Sequence, residues 1–488
     1  MDINQAPPKQ LYVSILRRVK DHNQKVTASL EVSKPKNHLL VLDGVRAIAC
    51  LAVLSYHTNL LTRTYGVWDP TGGAIKNLFA SLVYFGESGV ILFFLLSGFL
   101  LFLPFAKALL FDGTWPSILR FYLRRIFRIV PGYFAALFLI ILFFHPDFFH
   151  SVHRADLWAL LTFRMNDALS QQVNGPFWTL AIEFQFYMIL PILTGLFCLI
   201  VRRGSLPWRM AKLTCCLLAM LTWGLLTRWW GLSVPSTGSL NFAQNFFIQI
   251  KPFVYGDDTG KYFESFAVGM LLSMLYIYTQ NAPKGDFWRK RFQQWSPWLL
   301  FTGLITLGIL SIFHLHYIDI RLDPLGSHTL NSLHISMDMN IFEMIWQMWQ
   351  PLGYSLSYGL CMYALLYGTG RLKWPLELPI LRWIGLISFS LYMWHLPLLF
   401  LYMNAILPQI RDWGRYMAYM GIVAWILFII FPVTLALYRW VEMPGVRLGE
   451  ALLRWIETLK KQRSANLAEV VPVQDKAAAR ESLPLPVE

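Results

Sequence analysis

An all-α polytopic membrane bundle of about ten transmembrane helices is the fold class this sequence predicts, on three observations. Hydrophobic residues make up 56% of the 488 and charged residues only 14%, far from the balance of a soluble globular domain. Apolar runs of about 20 residues recur along the chain between short basic or polar stretches, the length an α-helix needs to cross a bilayer. Lys and Arg concentrate in alternate connecting segments, as the positive-inside rule requires, which predicts a multi-pass protein with both termini in the cytoplasm. The net charge of +14 therefore reports topology and excludes a nucleic-acid-binding reading.

The predicted spans are residues 39–61, 84–106, 131–146, 176–200, 213–230, 262–280, 297–313, 342–368, 383–403 and 416–438. Residues 1–38 form a cytoplasmic N-terminal tail with no cleavable signal, so the first span serves as its own targeting signal. In that tail Leu11, Ile15, Leu16 and Val19 beside Arg17, Arg18 and Lys20 predict a short amphipathic helix on the inner leaflet. Residues 39–445 form the transmembrane domain, and 446–488 a cytoplasmic C-terminal tail whose composition after Arg463 predicts partial disorder. The cysteines, Cys50, Cys198, Cys215, Cys216 and Cys361, are odd in number, contain no CxxC pair and sit within or beside apolar spans, arguing against a disulfide framework or a zinc site. No internal repeat is visible.

The first span carries two ionisable residues, Arg46 and His57. Such groups are expensive in a membrane helix and mark working sites. Eleven residues at roughly 100° each bring the second within about 20° of the first, some 16 Å along the axis. Asp43, three residues before Arg46, can pair with it, and Gly44 admits a close neighbour. His57 lies toward the outer side, where it can take a proton from an alcohol or be a hydrogen-bonded bundle histidine. In the second span Ser97 and Gly98 are small enough for close helix contact. The inner stretch that follows holds Arg124, Arg125 and Arg128, spaced for gripping phosphates through forked guanidinium donors and equally for anionic lipid.

The fourth span starts at Pro176 and places Glu183 about two turns into the membrane, with Tyr187 on the same face. That carboxylate needs a partner, with His57 or an arginine as candidates. The ninth span carries Ser388, Tyr392 and His395 as a polar stripe. Such a stripe must face protein or water, as core hydrogen bonding or as the wall of a substrate tunnel. Two outer loops, Leu232 to Lys261 and His314 to Ile341, are the candidates for contacting a substrate. The second holds His314, His316, Asp319, Asp323, His328, His334 and Asp338. It reads as a solvated polar loop in preference to a metal site, because the spacings match no standard ligand pattern.

Together these segments resemble the acyltransferase 3 family of multispanning membrane acyltransferases across roughly residues 39–445. The matching elements are D-G-x-R at Asp43 to Arg46 with His57 beyond it, F-F-x-L-S-G-F from Phe93, R-R-x-x-R-I-x-P from Arg124, W-[ST]-L-x-x-E-x-Q-F-Y from Trp178, S-x-S-L-Y-x-W-H-x-P from Ser388, and E-x-P at Glu442. Thr179 stands where the family often has Ser, and the soluble esterase-like domain of some members is absent from this sequence. The resemblance implies transfer of an acyl group, often acetyl, from cytoplasmic acyl-CoA as co-substrate to a hydroxyl of a glycan or other acceptor at or beyond the membrane. It implies His57, Arg46 and Glu183 as the functional residues; an imidazole at that place reads as general base on the acceptor hydroxyl, with an acyl-histidine intermediate as the rival route. Arg124, Arg125 and Arg128 would then meet CoA, and Tyr187, Ser388, Tyr392 and His395 would line the substrate path. A transporter or flippase for a polar solute is the competing reading, against which stand the missing repeat and the confinement of ionisable residues to a few helices.

Overall fold

The computed structural model describes residues 39–67, 80–165, 167–233, 261–322 and 338–481, and no strand occurs among them. The amphipathic segment predicted before residue 39, most of the loop Leu232 to Lys261, and Asp323, His328 and His334 lie outside the described residues. The principal helices are α1 Leu40–Thr64, α2 Gly89–Phe111, α3 Ile118–Phe144, α4 Phe177–Val201, α5 Leu206–Ser233, α6 Phe263–Asn281, α7 Gly285–Leu322 and α8 Met339–Tyr367. After them come α9 Pro379–Leu386, α10 Ser388–Leu401, α11 Arg415–Trp425, α12 Phe431–Leu437 and α13 Met443–Glu481. The last of these takes in the first part of the tail whose composition predicts disorder.

Each predicted span is helical. Among the described residues, 8 helical stretches are long and apolar enough to cross a membrane. The predicted spans 262–280 and 342–368 form α6 and α8, which fall outside that set. The reason is their surroundings: α6 lies against α2, α5 and α8, and α8 against α7. Helix faces packed on other helices can carry Glu264, Ser265, Ser273 and Ser355 in buried positions, because neighbouring helices supply the polar partners that lipid cannot.

The centre of the bundle is the crossing of α2 and α6. A Cβ added at Gly98 would lie 2.3 Å from the Phe266 carbonyl oxygen, and one at Gly269 would lie 2.2 Å from that of Leu95. The two backbones touch because both positions lack a side chain. Phe266 then stacks between Phe94, at 5.1 Å, and Phe186 of α4, at 3.8 Å between centroids. Gly44 plays the matching part for α1, where an added Cβ would meet the Leu376 carbonyl at 2.1 Å.

Four sequence expectations change. The arginine stretch 120–128 is not a connecting segment: it forms the first turns of α3, a 27-residue helix that continues through Pro131, because long cationic side chains can leave the apolar zone while their backbone stays helical. Asp43 faces Arg382, at 3.9 Å, instead of pairing with Arg46, since α9 is packed against the start of α1. The ninth span breaks at Ile387, so Ser388 opens a new helix. Finally, α7 runs well past residue 313, and His314, His316 and Asp319 are buried on it instead of solvated in a loop. His314 and Asp319 are accounted for by Glu87, 3.2 Å from His314 Nε2, and Arg63, 3.4 Å from the aspartate.

Replacing Gly98 by Leu is expected to destabilise the bundle by about 1–3 kcal/mol or more through overpacking at the α2–α6 crossing. Thermal unfolding of the detergent-solubilised protein, followed by size exclusion, measures it.

Candidate active site

Two cavities lie along the polar face of α1. The first, about 80 Å³, is lined by Arg46, Arg125, Arg128, Glu183, Tyr187, Thr179, Ser388 and Tyr392, with Val90, Phe93 and Phe94 among its apolar walls. The second is larger, about 530 Å³, and His57 and Glu87 face it together with Arg228, Trp178, Tyr262, Tyr317, Gln171, Gln347 and Gln350. The spacing of Arg46 and His57 thus delivers one residue to each cavity from a single helix face.

In the first cavity three guanidinium groups face one carboxylate, which leaves a surplus of positive charge suited to a polyanion. Glu183 accepts hydrogen bonds from the hydroxyls of Ser97 and Tyr187. Its partners are therefore hydroxyls, with Arg46 and Arg125 as charged neighbours, and His57 belongs to the other cavity. The Arg125 guanidinium also lies 5.8 Å from the Tyr187 ring centroid, a cation–π contact that orients it. Arg124, one residue away, is exposed and lines neither cavity. Glu442, of the closing E-x-P, is buried and accepts a 2.8 Å hydrogen bond from Ser390, tying the segment between α12 and α13 to α10.

In the second cavity His57 is set by its neighbours. Its Nδ1 lies 3.0 Å from the Val53 carbonyl and 3.1 Å from His395 Nε2. His395, 1% exposed, has its own Nδ1 2.8 Å from the Tyr392 carbonyl and 3.1 Å from that of Leu391. Carbonyl oxygens only accept, so the hydrogen-bond network assigns the proton of each neutral ring to Nδ1. The one His57 Nδ1 proton is then shared between the Val53 carbonyl and His395 Nε2, and His57 Nε2 keeps a free lone pair. A base held in one tautomer by a second group is the arrangement that proton abstraction requires.

Of the residues the sequence singled out, the structure brings Arg46, Arg125, Arg128, Glu183, Tyr187, Ser388 and Tyr392 to the first cavity and His57 to the second, while His395 lines neither and reaches the site through His57; it also adds residues the sequence reading did not single out. Glu87 was legible: it lies in the predicted second span, and a carboxylate there carries the same signal as Glu183. Arg228 and Glu264 were legible in the same way. They form a fully buried ion pair, with Nη2 to Oε1 at 2.6 Å, and Arg228 also lies over the Tyr262 ring at 4.6 Å. Tyr262 takes the left-handed backbone, φ +57°, a strained conformation for a bulky residue. The Arg228 contact, Phe94 at 5.0 Å and Trp178 at 5.7 Å hold it there. No local signal in the sequence marks that strain. Among the described residues no group of His, Cys, Asp and Glu is arranged to hold a metal ion.

This bundle of apolar helices defines a multi-pass integral membrane protein, and the two cavities are its candidate site. The sequence model of the acyltransferase domain family, Acyl_transf_3, matches residues 39–439, and the chain belongs to that family. It is similar to the peptidoglycan O-acetyltransferase OatA of Listeria monocytogenes, 29% identical over 168 residues, which is 31% of this chain and 23% of that protein. It is also similar to a Staphylococcus aureus (strain COL) protein named "Putative O-acetyltransferase SACOL0978", 23% identical over 443 residues, covering 86% of this chain and 59% of the other. The chain thus spans less than two thirds of the length of either relative. No solved structure matches it.

Arg228→Met is expected to destabilise the protein by roughly 3–5 kcal/mol, because it strands a buried carboxylate. The double variant Arg228→Met with Glu264→Leu is expected to recover much of that loss. Thermal melts of the single and double variants in detergent check both.

Proposed function

We propose that this chain is a membrane O-acyltransferase that moves an acetyl group from cytoplasmic acetyl-CoA to a hydroxyl of a glycan on the far side of the membrane. The observation that carries the reading is the pair of cavities served by one face of α1, cationic around Arg46 and histidine-bearing around His57. In the orientation that the Lys and Arg distribution predicts, with both termini in the cytoplasm of a bacterial cell, the cationic cavity opens toward the inner side. Arg125 and Arg128 would meet the phosphates of CoA there, and the acyl-pantetheine arm would extend along Arg46 toward His57. The second cavity suits a sugar, since Trp178, Tyr262 and Tyr317 offer aromatic faces and Gln171, Gln347 and Gln350 offer amides. A glycan is also the acceptor in the printed name of the Listeria relative.

The chemistry is a direct displacement. His57 Nε2 takes the proton of the acceptor hydroxyl as its oxygen attacks the thioester carbonyl. Arg46 orients the CoA arm or stabilises the oxyanion, the C–S bond breaks, and the imidazolium returns its proton to the departing CoA thiolate. Glu183, held by Ser97 and Tyr187, balances and orients Arg46 and Arg125. Ser388, Tyr392 and Tyr187 line the path of the arm, and His395 positions His57.

His57→Ala and Arg46→Ala are each expected to lower acetyl transfer by about 100-fold or more while protein still reaches the membrane. Radiolabel moved from acetyl-CoA to membrane-retained material measures it, and near-normal transfer in either variant removes that residue from the mechanism. In the absence of acceptor, quenched protein is expected to carry no label on His57; stable label there would replace direct attack with an acyl-histidine route. Arg125→Ala is expected to raise the KM for acetyl-CoA on the order of tenfold and kcat much less, as the loss of a charge-assisted contact requires.

A further inference from the structure

The two cavities have three lining residues in common: Val90, Thr179 and Tyr392. The polarity of their hydrogen bond can be read. Thr179 Oγ1 lies 2.9 Å from the Pro176 carbonyl and 2.7 Å from the Tyr392 hydroxyl. A carbonyl cannot donate, so the single Thr179 proton goes to Pro176, and the Tyr392 hydroxyl donates to Thr179. Tyr392 is held elsewhere as well: the edge of Phe93 packs against its ring, centroids 5.8 Å apart at 75°, and its carbonyl accepts from His395. Thr179 is tied to the first turn of α4, so the contact joins α4 to α10 across the boundary between the cavities.

We infer that Val90, Thr179 and Tyr392 form the neck through which the acyl group meets its acceptor, and that they select a short, uncharged acyl chain. The inference rests on the proposed function, in which the donor occupies the Arg46 cavity and the acceptor the His57 cavity. The carbonyl carbon must then react at or beside this wall. The acyl tail has to fit among the Val90 methyls, the Thr179 side chain and the Tyr392 ring. In an apolar slot one methylene more or less is worth roughly 10- to 200-fold in rate. A succinyl group would bring a carboxylate to a point where the three wall residues offer hydroxyls and methyls but no cation, and a charge so placed is disfavoured.

Inside-out membrane vesicles from cells expressing the full chain supply the native acceptor and expose the cytoplasmic side to radiolabelled acetyl-CoA, butyryl-CoA and succinyl-CoA. The readout is the ratio of butyryl to acetyl transfer into vesicle-retained material, which is internal to each variant and independent of how much protein folds. For the unaltered protein this ratio is expected to be below about one tenth, with succinyl transfer lower still. Val90→Ala and Thr179→Ser, made separately, are each expected to raise it at least about tenfold, because each removes methyl groups from the wall. A ratio that stays within about twofold of the unaltered value in both Val90→Ala and Thr179→Ser, with acetyl transfer still measurable, overturns the neck while leaving the proposed function standing. If the unaltered protein transfers label from none of the three donors, the proposed function itself fails.

Discussion

A polar group within the apolar thickness of a membrane must find its partner in protein or in a water-filled space, and the whole site follows from how this chain meets that demand. Arg46, Arg125, Arg128 and Glu183 share one cavity, and His57 and Glu87 share the other. Arg228 and Glu264 neutralise each other in full burial. Two cavities collect the charged residues of the candidate site, and α1 runs past both.

That arrangement requires close helix contact, which small residues provide. At Gly98 and Gly269 the backbones of α2 and α6 touch, which lets α6 occupy an interior position and present Tyr262 and the Arg228–Glu264 pair beside the second cavity. The break at Ile387 lets α10 start afresh at Ser388, so that Ser388 and Tyr392 face the cationic cavity while His395 reaches His57. Packing and chemistry are therefore linked: the same crossings that bring the helices together leave the two cavities that charged side chains line.

The two histidines form a hydrogen-bonded chain that ends on backbone carbonyls. A carboxylate beside His57 Nδ1 would also fix the tautomer, at the expense of a further charge near the cavity. Here the backbone carbonyls of Tyr392 and Leu391 fix His395, and His395 fixes His57. Glu87 remains the nearby acid on the same cavity, engaged with His314.

Composition, apolar run length and the placement of Lys and Arg were enough to specify an α-helical membrane bundle, because spanning a bilayer imposes a length and a polarity on each segment regardless of its neighbours. The 11-residue interval from Arg46 to His57 was equally legible, since helical periodicity converts sequence spacing directly into a shared face. Partner choice was not. Asp43 faces Arg382 and not Arg46, Glu183 binds hydroxyls and not His57, and His314 lies buried on a helix instead of in a loop. The common wall of Val90, Thr179 and Tyr392 joins three helical segments far apart in the chain. Such meetings depend on which helix faces are brought together, and helix packing, unlike helix formation, is set by contacts that local sequence does not encode.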